Sequence, residues 1–417
     1  MSGGVNPGPL VDPVEKLSRR EIERWSRHLS LPDVGPDGQR RLRAASALVI
    51  GAGGLGAPVL QYLAAAGLGS ITIIDDDTVE ASNLQRQVIH RDADTGRPKV
   101  DSARDALLRL DPHLRVRTIR DRLSPENALD LFANHDVVLD GADNFATRYL
   151  SNDAAELTGT PLVWGTIFRF SGQVSTFFPG HGPMLRDLFP DIPDADSVPN
   201  CAEGGVLGVL CGTVGSAMAT EAIKLICGIG TPLIGRLLRY DALEADYSTL
   251  RFSPDPDRAP VTDLAEVTLA CAARSASGGS AGTGGAETAG AGTAGTTEIS
   301  VEEFLAANPR PVLVDVRADW ERQLSSIPGS VHVPLDAVLA HGWSAVAVAV
   351  GTETVGTEAA EAAADEERTV QVVVHCKSGV RSARALDVLS GSAPAGTSLR
   401  SLAGGIDAWA AAGHHAR

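Results

Sequence analysis

Two short stretches of this chain carry residue types and spacings that can do chemistry. The first is the turn Gly51-Ala-Gly53-Gly54-Leu-Gly56, followed along the chain by Asp75, Arg86, Lys99 and Asp143. The second is Cys376 at the head of Lys377-Ser378-Gly379-Val380-Arg381. A glycine turn that leaves a strand and opens a helix lets backbone N–H groups approach phosphate closely. Asp75 ends the next strand, where a carboxylate can bind a ribose hydroxyl. Taken alone, that is the layout of a nicotinamide or flavin enzyme. Arg86 and Lys99 shift the reading. A guanidinium can fork onto phosphate oxygens and an ammonium acts as a point charge, which suits a triphosphate better than the two phosphates of NAD. The plainer alternative for both cations is a solvated face. Asp143, within Asp140-Gly-Ala-Asp143-Asn144, lies at a strand end where open α/β sheets take ligands. Its carboxylate is placed to hold Mg2+ against the phosphates, since a hard cation wants oxygen ligands.

In the second stretch a buried strand, Val372 to His375, leads into Cys376, and a helix follows. A cysteine in such a loop meets a cup of backbone N–H groups and a helix N-terminus. Lys377 and Arg381 add positive charge, and both effects favour a thiolate or persulfide anion over a neutral thiol. A cysteine phosphatase cradles its anion in a similar loop. Cys376 and Arg381 enclose four residues, however, one fewer than the phosphatase loop that makes room for a tetrahedral phosphate. The shorter loop speaks against a phosphatase. Of the other cysteines, Cys201 follows Pro199-Asn200 after a polar, Pro-rich stretch and is expected on a mobile crossover. Cys211 and Cys227 fall in an apolar helical pattern and read as small core residues, and Cys271 has no visible role.

These residues need elements to hold them. Apolar strands are expected at Ala47–Ile50, Ser70–Asp75, Val137–Leu139 and Leu162–Trp164, with helices over Pro58–Ala66 and Pro98–Leu110. Ser124-Pro125-Glu126 looks like a helix start. Such alternation means a mostly parallel sheet with helices on both faces. The uncharged stretch between Glu203 and Glu221 is a little short for a bilayer and reads as a buried helix. Nearer the C-terminus, strand patterns at Val312–Arg317 and Val372–Cys376 and a helix over Ala383–Leu389 describe a second, smaller α/β domain. Between the two lies a run of almost only Gly, Ala, Ser and Thr, which cannot bury enough surface to fold. The expected organisation is a disordered tail at 1–17, a first domain at 18–270, a linker at 271–297 and a second domain at 298–413. An Ala/Glu/Thr-rich segment, 342–368, reads as a solvated insertion in the second domain.

The 417 residues are 43% apolar and 21% charged, which is the composition of a soluble globular protein. A formal charge of −16 argues against nucleic-acid binding, which needs a basic footprint. The N-terminal residues show no apolar run of the secretory kind, and no membrane span is expected. Five cysteines with no C-x-x-C pair suggest reduced thiols and a cytoplasmic location.

The ordered series GAGGLG, IDDD (Ile74–Asp77), SNLQRQ (Ser82–Gln87), GRPK (Gly96–Lys99) and DGADN (Asp140–Asn144) resembles the MoeB/ThiF group of adenylyltransferases, relatives of ubiquitin-activating enzymes. RWSRHL (Arg24–Leu29), WGTIFRFSGQ (Trp164–Gln173) and CAEGGVLG (Cys201–Gly208) extend the match over about Ser18 to Thr262. The resemblance implies a Rossmann-like domain of the ubiquitin-activating type, with a mixed, mostly parallel sheet. It implies that ATP and Mg2+ activate the C-terminal carboxylate of a ubiquitin-like carrier ending in Gly-Gly. Carried over by motif, Gly54 lines the nucleotide, Asp75 holds the ribose, Asn83, Arg86 and Lys99 handle phosphate, Asp143 binds Mg2+ and Asn144 sits beside the nucleotide. Arg27 matches an arginine supplied across a homodimer, and Cys201 matches a cysteine that can link to the carrier. Relatives commonly bind a structural zinc through two C-x-x-C pairs. The matching positions here are Met184–Asp187 and Ala259–Thr262, without a thiolate, so no structural zinc is expected; apolar packing or dimer contacts are expected in its stead.

Asp315-Val-Arg317, the Cys376 loop and Gly404-Gly-Ile-Asp-Ala-Trp409 resemble a rhodanese domain from about Thr297 to Gly413, which implies a Cys376 persulfide. The pairing resembles fusions that adenylate a sulfur carrier and then convert it to a thiocarboxylate, for molybdopterin or related pathways. The sulfur would come from a cysteine desulfurase or thiosulfate. Three alternatives stand beside this: a nicotinamide oxidoreductase, a ubiquitin-like conjugating enzyme using Cys201, and a sulfur relay that never adenylates.

Overall fold

The computed structural model describes residues 6–192, 205–268, 298–353, 371–394 and 396–414. The chain divides into two compact units, Met1–Gly282 and Thr283–Arg417. Cys201, Cys271, the 271–297 linker and most of the 342–368 segment lie outside the described residues.

The first unit is built on an eight-stranded sheet of order β3-β2-β1-β4-β5-β6-β7-β8. Strands β1 (Ser46–Ile50), β2 (Ser70–Ile74), β3 (Arg115–Ile119), β4 (Val137–Asp140) and β5 (Leu162–Phe168) run parallel. An antiparallel meander, β6 (Ser171–Phe177), β7 (Arg236–Asp241) and β8 (Asp246–Arg251), completes the sheet. Alternate residues of a strand face opposite sides. Accordingly Ala47 and Val49 of β1 join one apolar core, and Leu48 and Ile50 the other. Burial on both faces explains why β1, β2, β4 and β5 read as apolar runs, whereas β3 at the sheet edge has no buried residue. The helices are α1 (Arg19–Arg24), α2 (Ser26–Leu29), α3 (Gly35–Ala44), α4 (Gly56–Ala66), α5 (Lys99–Leu110), α6 (Pro125–Ala133), α7 (Phe145–Thr158), α8 (Leu185–Leu188) and α9 (Gly208–Cys227). The apolar α9 packs against α4 and the sheet, so its hydropathy serves the core. Cys211 and Cys227 are buried within it, and burial pushes the Cys227 thiol up to about 11.

Three expectations are corrected here. The N-terminal segment is no loose tail from Asn6 onward. Asn6 donates to the carbonyls of Gly228 and Gly230, Leu10 N–H donates to Leu225, and Leu10 and Val11 pack on the first core. The two segments that lack zinc thiolates are joined by ion pairs as well as apolar packing. Arg258 Nε lies 2.8 Å from Asp187 Oδ1 and its Nη1 lies 3.1 Å from Glu156 Oε2, while Val261 N–H donates to Glu156. Met184 is buried beside this network, and its N–H donates to Asp187. With carboxylates and a guanidinium satisfying one another and no thiolate at the four positions, these residues do not fit a structural zinc. In the second unit, the start of the supposed insertion is a helix, Trp343–Glu353, whose Val346 is fully buried; the Ala/Val-rich face was hidden by the low-complexity composition.

The second unit has a five-stranded parallel sheet of order β11-β10-β12-β13-β9. Its strands are β9 (Glu298–Ile299), β10 (Val312–Asp315), β11 (Val331–His332), β12 (Gln371–His375) and β13 (Ser398–Leu402). Helices α10 (Val301–Ala306), α11 (Asp319–Leu324), α12 (Leu335–His341), α13 (Trp343–Glu353), α14 (Val380–Ser390) and α15 (Gly405–Ala411) cover it. Central β12 ends at the cysteine loop.

Candidate functional site

At the C-terminal edge of β1 the chain turns through Gly51, whose φ of +86° only glycine adopts without strain. A side chain at Gly56 would place Cβ 1.9 Å from the Gly51 carbonyl oxygen, and one at Gly54 would meet Cys211 Sγ at 2.7 Å. The turn therefore tolerates no other residue at these points. Asp75 braces it, accepting the Ala52 N–H at 2.8 Å and the Asp77 N–H at 2.9 Å. Burial pushes the Asp75 carboxyl up, against the opposing pull of Lys99 and the two N–H donors.

Lys99 is 6% exposed and is the first residue of α5, so the solvated-face alternative fails for it. Backbone pairing between 77–79 and 96–99 docks GRPK against the end of β2, and Lys99 Nζ lies 2.7 Å from Asp77 Oδ2. Arg86 is half-buried, with its Cγ stem beside Gly54 and Nη1 donating to the Ser82 carbonyl at 3.1 Å. Gly141 lies against Gly51, so the loop after β4 adjoins the glycine turn. The structure thus brings together Gly54, Asp75, Arg86, Lys99 and the loop bearing Asp143.

The two asparagines do local work. Asn83 accepts the Glu80 N–H at 3.3 Å, and Asn144 caps α7 by accepting the Thr147 N–H at 2.9 Å. Asp143 is exposed and carries no ion pair among the described residues. A lone carboxylate beside the glycine turn has the chemistry that fits Mg2+, which is held by one or two carboxylates together with substrate phosphates. The neighbouring Asp75-Asp76-Asp77 oxygens also approach one another, but Lys99 and Arg122 already neutralise Asp77 and Asp76. Arg27 is exposed on α2 and makes no hydrogen bond or ion pair to this group among the described residues. Sequence reasoning missed Asp77 as the holder of Lys99, because a pair 22 residues apart has no local periodicity. It also missed Asp140, fully buried, which accepts the Ala142 N–H at 2.8 Å and shapes the loop that presents Asp143.

In the second unit Cys376 is 1% exposed. Gly379, at φ +113°, turns its N–H onto Cys376 Sγ at 3.1 Å. Ser382 Oγ lies 3.7 Å from the same sulfur and donates to the Gly379 carbonyl at 2.8 Å. The GGIDAW segment supports the loop from behind. Ile406 N–H donates to the Cys376 carbonyl, Asp407 N–H to that of Lys377, and a Cβ at Gly405 would sit 2.5 Å from the Cys376 oxygen. Lys377, Ser378 and Val380 are exposed at the rim. Arg381, expected to add charge to the loop, is forked onto Glu321 of α11 at 2.5 and 2.8 Å. Burial alone would raise the Glu321 carboxyl, yet those hydrogen bonds hold it below its ordinary range. Much of the guanidinium charge is thereby spent on positioning. Beneath the loop His375 is fully buried, and burial pushes it down to about 4. Asp315 and Arg317, the DVR pair, fork together at 2.9 and 2.7 Å.

Residues 25–261 match the ThiF family and residues 300–412 match the rhodanese-like domain. The chain is 47% identical over 413 residues to the probable adenylyltransferase/sulfurtransferase MoeZ of Mycobacterium tuberculosis, covering 96% of each. It is 38% identical to the adenylyltransferase and sulfurtransferase MOCS3 of Bos taurus, covering 98% of this chain and 89% of that one. Its first part is 51% identical to the sulfur carrier protein adenylyltransferase of Thermus thermophilus, over 59% of this chain and 92% of that protein. The crystal structure of E. coli MccB with ATP shares the fold, with a TM-score of 0.51 at 20% identity over 57% of this chain and 74% of that chain. The chain belongs to the ThiF family, with a rhodanese-like domain following in the same polypeptide.

Proposed function

We propose that this protein adenylates the C-terminal carboxylate of a ubiquitin-like sulfur carrier and then converts it to a thiocarboxylate with sulfur carried on Cys376. The observation that carries the reading is the coexistence, in one chain aligned nearly end to end with an adenylyltransferase/sulfurtransferase, of a braced phosphate turn and a sulfur-cradling loop. A relay that never adenylates leaves the buried Lys99 and the glycine turn without a purpose.

In the first half-reaction the carrier carboxylate attacks the α-phosphorus of ATP, and pyrophosphate leaves. Gly54 and the turn N–H groups approach the phosphates, Asp75 takes the ribose, and Arg86 and Lys99 neutralise developing charge, the main demand of such transfers. Asn83 and Asn144 shape the turns on either side, and Arg27 acts across a homodimer. Mg2+, held by Asp143, would supply further charge neutralisation at the phosphates. In the second half-reaction the terminal sulfur of the Cys376 persulfide attacks the acyl carbon and AMP leaves, giving an acyl disulfide. A second thiol, assigned to Cys201, attacks the Cys376 sulfur and releases the thiocarboxylate. The disulfide left behind is reopened by an external dithiol reductant. Reduced thiols of this kind belong in the cytoplasm. Persulfide is loaded by a cysteine desulfurase or by thiosulfate.

The test is mass spectrometry of a Gly-Gly-ended carrier incubated with protein, ATP, Mg2+ and a sulfur donor. Replacement of one oxygen by sulfur supports the proposal. Absence of adenylation with every carrier from the source genome sinks its first half.

A further inference from the structure

Ala52 is held through both of its flanking peptides. Ala52 is fully buried, and its N–H is held by Asp75. Its carbonyl oxygen lies 2.9 Å from His90 Nε2. His90 is 6% exposed, and its Nδ1 lies 2.9 Å from the hydroxyl of fully buried Ser102. Ser102 sits on α5 one turn beyond Lys99. A carbonyl only accepts, so Nε2 must carry the hydrogen; in a neutral ring Nδ1 then accepts from Ser102. Burial holds His90 below the ordinary histidine range and Lys99 pushes the same way, outweighing the Ala52 hydrogen bond and Asp94, which oppose them; this keeps the ring in the neutral form.

From this geometry we infer that His90 is a positioning residue for the phosphate-binding turn. In a trans peptide the N–H points opposite to the C=O. By holding the Ala52 carbonyl, His90 turns the Gly53 N–H away from the core and outward from the turn. Through Ser102 it ties that orientation to the helix whose first residue is Lys99. One imidazole thus sets the relative placement of the amide and the ammonium that meet the same triphosphate. The inference rests on the reading that this turn binds ATP.

The experiment measures pyrophosphate exchange into ATP by the full chain, with KM for ATP and for carrier determined separately. His90→Leu removes both hydrogen bonds at similar size, and a buried carbonyl left unpaired should raise the ATP KM by about tenfold or more. The carrier KM should stay within about twofold, and sulfur transfer from thiosulfate by the second unit should be unchanged. His90→Gln, whose amide can still donate to the Ala52 carbonyl, should recover most of the ATP affinity. An ATP KM for His90→Leu that matches the wild type overturns the inference, as does equal damage to both KM values that His90→Gln fails to rescue. If His90→Leu does not fold, Ser102→Ala decides, because an unaltered ATP KM there also overturns it. Lack of exchange by the wild-type protein would instead strike at the functional reading, so the two failures are distinguishable.

Discussion

At the scale of single residues, the two halves of the proposed reaction separate cleanly. Cys376→Ala should keep pyrophosphate exchange and lose carrier sulfuration unless free sulfide is added, as read by carrier mass. Arg86→Ala should do the reverse, with exchange lowered at least about tenfold, the usual scale for a lost charge-assisted phosphate contact, and persulfide formation intact. His375 supplies a pH test. Burial depresses its folded-state value from the ordinary 6.5 to about 4, with Asp315 opposing in part. Between these values the unfolded chain takes up a proton that the folded one refuses. Stability is therefore full above about pH 6.5 and is lost as pH falls toward about 4, by up to about 3 kcal/mol. Urea unfolding of the second unit at about pH 7.5 and about pH 5 should show this loss, and His375→Leu should remove much of it.

Among the elements, the ion-paired junction at Arg258 joins the two segments, Met184–Asp187 and Ala259–Thr262, that carry no thiolate. Its side chain is 18% exposed and meets Glu156 and Asp187 at 15% and 2%, between the surface and the fully buried extremes. Arg258→Ala should destabilise the first unit by about 1–3 kcal/mol, leaving two carboxylates uncompensated. A strong zinc chelator should leave its melting temperature unchanged. Strands β1, β2, β4 and β5, α4, α5 and the loop order were legible in the sequence because apolar runs, glycine spacing and the Ser-Pro helix start are local signals, whereas β3, with no buried residue, was not. What stayed hidden depends on partners distant in the chain. The Asp77–Lys99 pair, the Glu321 fork that occupies Arg381, and the docking of Leu10 beneath α9 are set by tertiary proximity. Strand β8 was hidden for a different reason, since every residue in it is exposed and no alternation marks a buried face.

At the scale of the whole molecule, the proposed mechanism makes the covalent link between the units testable. Cutting the chain between residues 268 and 298 should leave adenylation and persulfide formation intact. Thiocarboxylate formation at micromolar protein should fall by one or more orders of magnitude, because tethered partners meet at an effective concentration of about millimolar. A carrier mass assay on the cut and intact forms checks this. The thiols buried in α9 have a separate consequence for the molecule. Cys227 is 3% exposed and stays protonated at neutral pH, and Cys211 is 1% exposed beneath the glycine turn. Neither can meet an alkylating reagent until the first unit opens. Pulsed labelling of these two sulfurs therefore records the opening equilibrium of the adenylating unit from within, and bound nucleotide should slow that clock in proportion to its affinity.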